Sequence, residues 1–265
     1  QRAEHHPDNL LISSTHDTKR SGDVRARIGA LTEPDLRDDW AAFARKYVPG
    51  APDPGTGFLV LQTLLGAHPI EPLDRLDQFL EKALREAKLH TTWANPDTTY
   101  EDDVKRWARD LLSDEELRHN FDPLVARVTK AGERSAQGQL LLKLTAPGLP
   151  DVYGGDELPY LALVDPDNRR PVDFDARREA LHDPPPKLRL ITQALALRAR
   201  KPETFARGTY EALDAGDGVC AYLRGDDVLV AIPVRPGAHP RLPQLPGEWR
   251  DVFADPTGLV LRERV

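Results

Sequence analysis

The sequence predicts an α/β fold with an all-β tail, and three observations point to this class. A short apolar run with polar flanks, Asn9–Thr15, is typical of a buried strand, and a polar loop and a helical pattern follow it. From Pro34 to about Thr145, apolar residues recur at spacings of three and four, as in amphipathic helices. After Lys201, apolar and polar residues alternate, as in antiparallel strands.

The first helix is expected to begin near Ser21 or Asp23, because either side chain can accept a hydrogen bond from a free N–H of the first turn. Three apolar stripes then define a helical block, in which Trp40, Phe79 and Trp107 are expected in the core. The stripes are Leu36, Trp40, Phe43, Tyr47 and Val48; Leu73, Leu76, Phe79, Leu80, Ala83, Leu84 and Ala87; and Tyr100, Val104, Trp107, Leu111 and Leu112.

The pattern changes at Pro147, where a turn rich in glycine and proline surrounds a very short apolar segment, Pro150–Tyr153. A polar loop and a helix over residues 186–200 follow. The stretch "RGDD" between two apolar runs predicts a hairpin in the tail. We therefore divide the chain into residues 1–33, 34–145, 146–204 and 205–265, the last being a small antiparallel β domain.

The chain of 265 residues is long enough for a complete (β/α)₈ barrel, which takes about 250 residues, but only two strands of the barrel type precede Lys201. The sequence contains no methionine, even at position 1. We therefore expect the chain to be a fragment of a longer protein.

Composition excludes several classes of function. The net charge of −7 argues against nucleic acid and acidic membranes as partners. The single cysteine, Cys220, permits no disulfide within the chain and favours a cytoplasmic location. No apolar run approaches the roughly 18 residues of a membrane span, and no signal peptide is recognised.

The stretch "STHDTKRSGD" carries the main candidate site. Asp17 can accept hydrogen bonds from two adjacent sugar hydroxyls, and His16 stands beside it at the end of a barrel-type strand, where such folds keep their chemistry. The alternative is a chance dipeptide on a loop. Lys19 and Arg20 lie just before a helix start, which is an unfavourable place for cations unless a carboxylate or a substrate compensates them. They are either substrate-binding residues or solvated surface cations.

Further polar candidates follow. Asp165, Arg169 and Arg170 belong to the dense polar loop "VDPDNRRPVDF", which is either a turn with surface ion pairs or part of a binding site. Tyr153 and Glu157 flank two glycines that permit close backbone approach, although a tight turn alone would explain them.

Trp93 lies outside the apolar stripes, so both core packing and stacking on a sugar are open to it. The sequence has no phosphate-binding glycine loop, zinc-ligand spacing or serine nucleophile elbow, and the D-x-D pair at 165–167 lacks the rest of a calcium loop. We expect no metal and no cofactor.

Taken together, these motifs resemble the maltooligosyltrehalose synthase family of the α-amylase superfamily. "STHDTKRSGDVRARI" resembles the family's segment at the end of the seventh barrel strand, and "LTAPGLPDVYGGDEL" the segment of the eighth. "LQTLLGAHP" and "HTTWANPDTTYE" resemble its inserted helical block, and "LVDPDNRRPVDF" the loop after the eighth strand. The resemblance covers about Leu10 to Arg200, and the tail matches only in type.

The resemblance implies that the chain is the C-terminal part of a (β/α)₈ barrel, strands seven and eight, with a large helical insertion. It assigns Asp17 to transition-state stabilisation and His16 to binding the sugar whose bond breaks. Two further catalytic carboxylates, on the fourth and fifth strands, have no match here. Gly22, His68 and the weakly aromatic "YGGDELPY" depart from the family pattern, which bears on fine substrate contacts.

The implied reaction is an intramolecular transglucosylation of maltooligosaccharides. The reducing-end α-1,4 bond is replaced by an α,α-1,1 bond, so that the product ends in trehalose. The missing N-terminal half of the same enzyme is the expected partner. Two alternatives remain open: a non-catalytic carbohydrate-binding or assembly subunit, and an α-glucan hydrolase relative.

Overall fold

The computed structural model describes residues 2–163 and 167–265. These residues form two compact units. The helical unit comprises Ser14–Glu133 and Tyr160–Pro171, and the sheet unit comprises Gln1–Ser13, Arg134–Pro159 and Val172–Val265. The predicted four-part division of the chain stays a prediction.

The elements of the first half are mostly helical, as the apolar spacing predicts. In chain order they are α1 (Arg2–His5), β1 (Leu10–Leu11), α2 (Gly22–Ala30), α3 (Pro34–Tyr47), α4 (Pro54–Gly66), α5 (Asp74–Ala87), α6 (Thr98–Ser113) and α7 (Glu115–Thr145). A 3₁₀ turn, Val48–Gly50, follows α3. The helical interpretation of residues 34–145 is thereby confirmed.

The second half carries the remaining helices and the strands of the tail. In chain order they are β2 (Leu149–Pro150), α8 (Phe174–Ala180), α9 (Pro186–Arg200), α10 (Pro202–Arg207), β3 (Tyr210–Leu213), β4 (Val219–Arg224), β5 (Val228–Pro233), β6 (Trp249–Ala254) and β7 (Val260–Arg264). A 3₁₀ turn covers Asp167–Arg169. Within the described residues, no helix combines the length and the apolar character that crossing a bilayer requires.

The helical unit buries most residues of the predicted apolar stripes in one core, formed by α2 to α6 and the first part of α7. Leu73 and Ala87, at the two ends of the second stripe, are exposed instead. Phe79 is 1% exposed, whereas Trp40 and Trp107 are partly buried at the edge of this core. Ser21 caps α2, because its hydroxyl accepts a hydrogen bond from Val24 N. The predicted start of this helix is thus confirmed.

Close helix packing in this unit depends on glycine. A Cβ atom at Gly66 on α4 would lie 2.8 Å from Cγ1 of Ile28 on α2, and one at Gly132 on α7 would lie 2.8 Å from the Cα of Arg27. The bare Gly132 therefore lets α7 approach the backbone of α2, and it explains how Arg27 becomes buried there.

The tail of the sheet unit is a five-stranded antiparallel sheet with strand order β3-β4-β5-β7-β6. The predicted hairpin is confirmed: β4 and β5 pair from Arg224↔Val228 to Val219↔Pro233, and Gly225 in the turn has φ +53°. One face of this sheet packs apolar side chains against the buried side of α9, including Leu190 and Leu197. The helix α10 spans Pro202–Arg207 and therefore crosses the predicted start of the β domain at residue 205.

The two strands expected in the first part of the chain are shorter than the apolar runs suggest. Leu10–Leu11 pairs with Leu149–Pro150 in a parallel ladder, with Leu10 opposite Leu149. Leu149 N donates to the carbonyl oxygen of Asn9, and Asp151 N to that of Leu11, both at 3.0 Å. A Cβ at Gly148 would lie 2.6 Å from the same Asn9 oxygen, so glycine permits this close approach. The ladder covers two residues in each strand.

Candidate active site

The segment after β1 carries His16 and Asp17 on a tight turn. Thr18 N and Thr18 Oγ1 both donate to the carbonyl oxygen of Thr15, at 3.3 and 2.9 Å, and Thr15 N donates to Thr18 Oγ1 at 3.2 Å. Asp17 N donates to Thr15 Oγ1 at 3.1 Å. These local hydrogen bonds hold the backbone of the turn while its two central side chains point outward.

The His16 and Asp17 side chains are 76% and 82% exposed, and Nε2 of His16 lies 3.3 Å from Oδ2 of Asp17. An exposed carboxylate on a fixed turn can accept hydrogen bonds from two neighbouring hydroxyls of a sugar ring. The imidazole beside it adds a donor or an acceptor, depending on its tautomer. The structure therefore brings this predicted pair together in an accessible position.

Lys19 forms an ion pair with Glu86 in the last turn of α5, and Lys82 lies 3.8 Å from the same carboxylate. The carboxylate that compensates Lys19 thus comes from a helix 67 residues later in the chain. This contact anchors the segment that carries Asp17 to the C-terminal end of α5.

Arg20 turns into the helical unit. Its Nη2 donates to Thr63 Oγ1 at 2.7 Å, and its guanidinium lies 5.6 Å from the ring centroid of Phe79. Burial lowers the pKa of Arg20 below its ordinary value. The backbone of Arg20 forms a bridge with Leu163. These contacts make Arg20 a structural support of the segment, and its predicted role in substrate binding stays a prediction.

Trp93 is 56% exposed on the loop between α5 and α6, and the guanidinium of Arg85 lies 4.9 Å from its ring centroid. Arg85 also binds both carboxylate oxygens of Glu101, at 2.8 and 2.7 Å. Hydrogen bonding to Arg85 lowers the pKa of Glu101, which is only 2% exposed. Of the two interpretations left open for Trp93, packing in the core is excluded by this exposure.

Tyr153 and Glu157 lie in the sheet unit, on a turn in which Gly155 has φ +100°. Glu157 Oε2 accepts hydrogen bonds from Gly155 N at 3.0 Å and from Arg177 Nε at 2.9 Å. The Glu157 side chain therefore stabilises the turn in which it lies, and Gly155 supplies the left-handed backbone that the turn requires.

The polar loop is described only in part. Asp165 lies outside the described residues. Arg169 and Arg170 are exposed at the 3₁₀ turn, and Arg170 Nη1 lies 3.5 Å from Oδ1 of the buried Asp167. In the part of the chain that the structure describes, no group of three or more His, Cys, Asp or Glu side chains could hold a metal ion.

The supporting residues of the site were missed by the sequence analysis. Glu86 holds Lys19, and Glu101 holds Arg85, whose guanidinium lies over the ring of Trp93. A local signal existed, because Glu81 and Arg85 stand four residues apart on α5, the spacing of a helical ion pair. The spacing alone does not reveal which loop such a helix supports.

Comparison with known proteins gives a consistent result, although no family model matches the sequence. "Putative maltooligosyl trehalose synthase" of Mycobacterium tuberculosis is 43% identical over 271 residues, which cover 95% of this chain and 35% of that protein. The chain thus spans about a third of the length of the curated relatives it matches.

Solved structures agree with this match. A hypothetical maltooligosyl trehalose synthase of Sulfolobus tokodaii has a TM-score of 0.83 at 29% identity, over 96% of this chain and 38% of that one. Maltooligosyltrehalose synthase of Arthrobacter ramosus has a TM-score of 0.76 at 33% identity, over 89% of this chain and 33% of that one. The resemblance inferred from the motifs is thereby confirmed: the chain is a relative of the maltooligosyl trehalose synthases, matched to their C-terminal portion.

Proposed function

We propose that this chain is the C-terminal part of an intramolecular transglucosylase, a (1→4)-α-D-glucan 1-α-D-glucosylmutase. The enzyme converts the reducing-end α-1,4 bond of maltooligosaccharides into an α,α-1,1 bond, which forms a trehalose end. The observation that carries the proposal is the 43% identity over 95% of the chain to a relative of that name. A cytoplasmic location stays a prediction from the single cysteine.

We assign β1 and β2 to strands seven and eight of a (β/α)₈ barrel. Their parallel pairing supports this assignment, because neighbouring strands of such a barrel run parallel. The pair and the residue that follows β1 also expose apolar side chains: Leu10 is 63% exposed, Leu149 51% and Ile12 51%. Exposed apolar strand residues of this kind suit a partner surface, which we take to be the N-terminal part of the same enzyme, with the other six strands.

In this proposal Asp17 binds the 2- and 3-hydroxyls of the sugar at the cleavage point. These hydrogen bonds strengthen as the ring acquires oxocarbenium character, so that they stabilise the transition state more than the bound substrate. The exposure of Asp17 on a fixed turn supports this role. His16 binds the same sugar from the adjacent position.

The nucleophile and the acid/base carboxyl come from the N-terminal part. A retaining mechanism needs the two about 5–5.5 Å apart, and the resemblance matches neither to a residue of this chain. The released glucose turns in its pocket and attacks the glycosyl-enzyme through its anomeric hydroxyl. Lys19 is assigned to the acceptor side, where its ion pair with Glu86 sets its position. The proposal also retains substrate binding as the role of the other polar candidates, which are Arg20, Tyr153, Glu157, Asp165, Arg169 and Arg170.

The test uses the longer enzyme that contains this chain. Asp17→Asn is expected to lower kcat roughly a hundredfold or more, since the lost hydrogen bonds contribute several kcal/mol in the transition state. Non-reducing product and free glucose are both measured from maltopentaose. Isomerisation and side hydrolysis should fall together, because they share the bond-breaking step.

Asp38→Asn is the matched control, because the Asp38 side chain is 83% exposed, as Asp17 is, and its ion-pair partner is the adjacent Arg37. We expect its kcat and KM to equal those of the unchanged enzyme. A rise in KM alone for Asp17→Asn would make Asp17 a simple binding residue. Steady turnover by the isolated 265-residue chain would refute the proposal that the nucleophile and the acid/base carboxyl lie in the N-terminal part.

A further inference from the structure

Trp93 is an exposed aromatic side chain on a loop that polar contacts hold firmly. Thr91 is 1% exposed and donates to Glu101 Oε1 at 2.5 Å, while its hydroxyl accepts a hydrogen bond from Asp97 N at 2.9 Å. Within the loop, Asn95 N donates to Thr92 Oγ1 at 2.9 Å, and Thr92 N donates to the carbonyl oxygen of Asn95 at 3.2 Å. The residues on both sides of Trp93 are therefore fixed.

A second anchor holds the start of the same loop. The ring of His90 lies against that of Tyr100, with centroids 4.7 Å apart, and His90 Nε2 lies 3.6 Å from Asp53 Oδ2. Tyr100 donates a hydrogen bond to the same Asp53 carboxylate. These contacts order the loop before any ligand binds. Binding of a ligand to the exposed ring therefore costs little conformational entropy.

Arg85 orients the ring. Its guanidinium lies over the indole of Trp93 and is itself held by Glu81 at 2.9 Å and by Glu101 at 2.7 Å. Because Arg85 lies over one face of the ring, the 56% exposure of Trp93 is expected to fall on the opposite face. An open, oriented indole face is a surface for flat apolar groups, such as the C–H face of a pyranose ring.

The support of Trp93 is shared with the segment that carries Asp17. Arg85, beneath Trp93, and Glu86, which binds Lys19, are consecutive residues in the last turn of α5. Both contacts lie in the helical unit. The same helix end therefore holds the aromatic platform and the loop of the candidate active site.

We propose that Trp93 is a glucan-stacking platform that binds glucose units of the maltooligosaccharide away from the bond that is broken. Arg85 is a positioning residue for it. This inference rests on the proposed function for the identity of the ligand, and it adds a binding site that contributes affinity rather than chemistry. A linear α-glucan presents a series of pyranose faces, so one ring can contact such a chain wherever it passes.

The test measures binding without turnover. The protein is run on native gels that contain soluble amylose at increasing concentration, and retardation gives a dissociation constant. Trp93→Ala should raise this constant roughly fivefold, the size of a lost aromatic contact. Trp93→Phe, which keeps a smaller ring, should lie between the two, and it remains informative if the alanine variant folds poorly.

Phe174→Ala is the matched control, because Phe174 is also 56% exposed and lies in the sheet unit. It should run like the unchanged protein in every gel. Equal retardation of Trp93→Ala and the unchanged protein, or no retardation of the unchanged protein, would overturn the proposal. If instead retardation depends on Trp93 while Asp17→Asn leaves kcat unchanged, the proposed function fails and the platform stands.

Discussion

The buried ion pair between Arg75 and Asp167 offers a sharp test of what holds the helical unit together. Arg75 Nε lies 2.7 Å from Asp167 Oδ2, and the two side chains are 7% and 5% exposed. The same carboxylate oxygen accepts a hydrogen bond from Leu163 N at 2.7 Å, and Arg75 also donates to the carbonyl oxygen of Leu161. Two segments 92 residues apart are joined here. The perturbation is Asp167→Ala.

The expected loss follows from this geometry. At 2.7 Å and an effective dielectric constant of about 20, the attraction between the charges is roughly 6 kcal/mol, and desolvation of the two ions offsets most of it. Removing only Asp167 deletes the attraction but leaves Arg75 buried and uncompensated. Such a change costs about 3–5 kcal/mol in the free energy of unfolding.

The assay is urea unfolding at pH 7, followed by tryptophan fluorescence and by far-ultraviolet circular dichroism. The double variant Arg75→Met/Asp167→Leu removes both charges and replaces them with apolar side chains of similar length. We expect it to lose less stability than Asp167→Ala alone, because no unpaired ion remains buried. A loss below about 1 kcal/mol for Asp167→Ala, or an equal loss in the double variant, would refute the reasoning.

Two further predictions concern packing and pH. Gly132→Ala should destabilise the protein by about 1–3 kcal/mol in urea unfolding, because its Cβ would lie 2.8 Å from Arg27 Cα. Gly29→Ala should stabilise it by up to about 1 kcal/mol, because a Cβ there would meet no atom of another element within 4 Å. Equal effects of the two substitutions would contradict the close approach of the helices. Burial and the hydrogen bond to Asp53 raise the pKa of Tyr100 to about 12, so its contribution to stability should persist below pH ~10 and be lost as the pH rises towards 12. Unfolding midpoints between pH 9 and 12 should therefore fall less steeply in Tyr100→Phe than in the unchanged protein, and parallel curves would refute this origin of the shift.

Features set by neighbours in the chain could be predicted from the sequence. The spacing of apolar residues predicts the helical block of residues 34–145, and the two possible capping residues, Ser21 and Asp23, predict where α2 begins. The "RGDD" turn predicts the hairpin of β4 and β5. Each rests on contacts within a few residues, so the local pattern is sufficient.

The length of the first two strands could not be predicted in the same way. An apolar run such as Asn9–Thr15 shows that a segment can be buried, but the number of ladder hydrogen bonds depends on the partner strand. Here Leu10–Leu11 meets a partner of equal length about 140 residues later in the chain, and only these two positions are paired. Strand length is thus a property of the pair.

The same distinction applies to charged side chains. Arg224, in the hairpin sequence, is 1% exposed and donates to the carbonyl oxygens of Thr145, Thr204 and Phe205. Nothing around "RGDD" indicates that this arginine is buried, because its acceptors come from other elements. A charge is buried only where the assembled fold supplies enough acceptors to replace water.

The sequence by itself determined the helical block of residues 34–145, the hairpin, the choice of His16 and Asp17 as candidates and the relationship to maltooligosyl trehalose synthases. Only the tertiary structure decided that Lys19 reaches Glu86, that Arg20 turns inward to Thr63, and that Trp93 stands exposed over Arg85. The physical reason is one of range. Backbone pattern and residue type act over a few positions, whereas the environment of a long polar or aromatic side chain is set by residues that only folding brings near it.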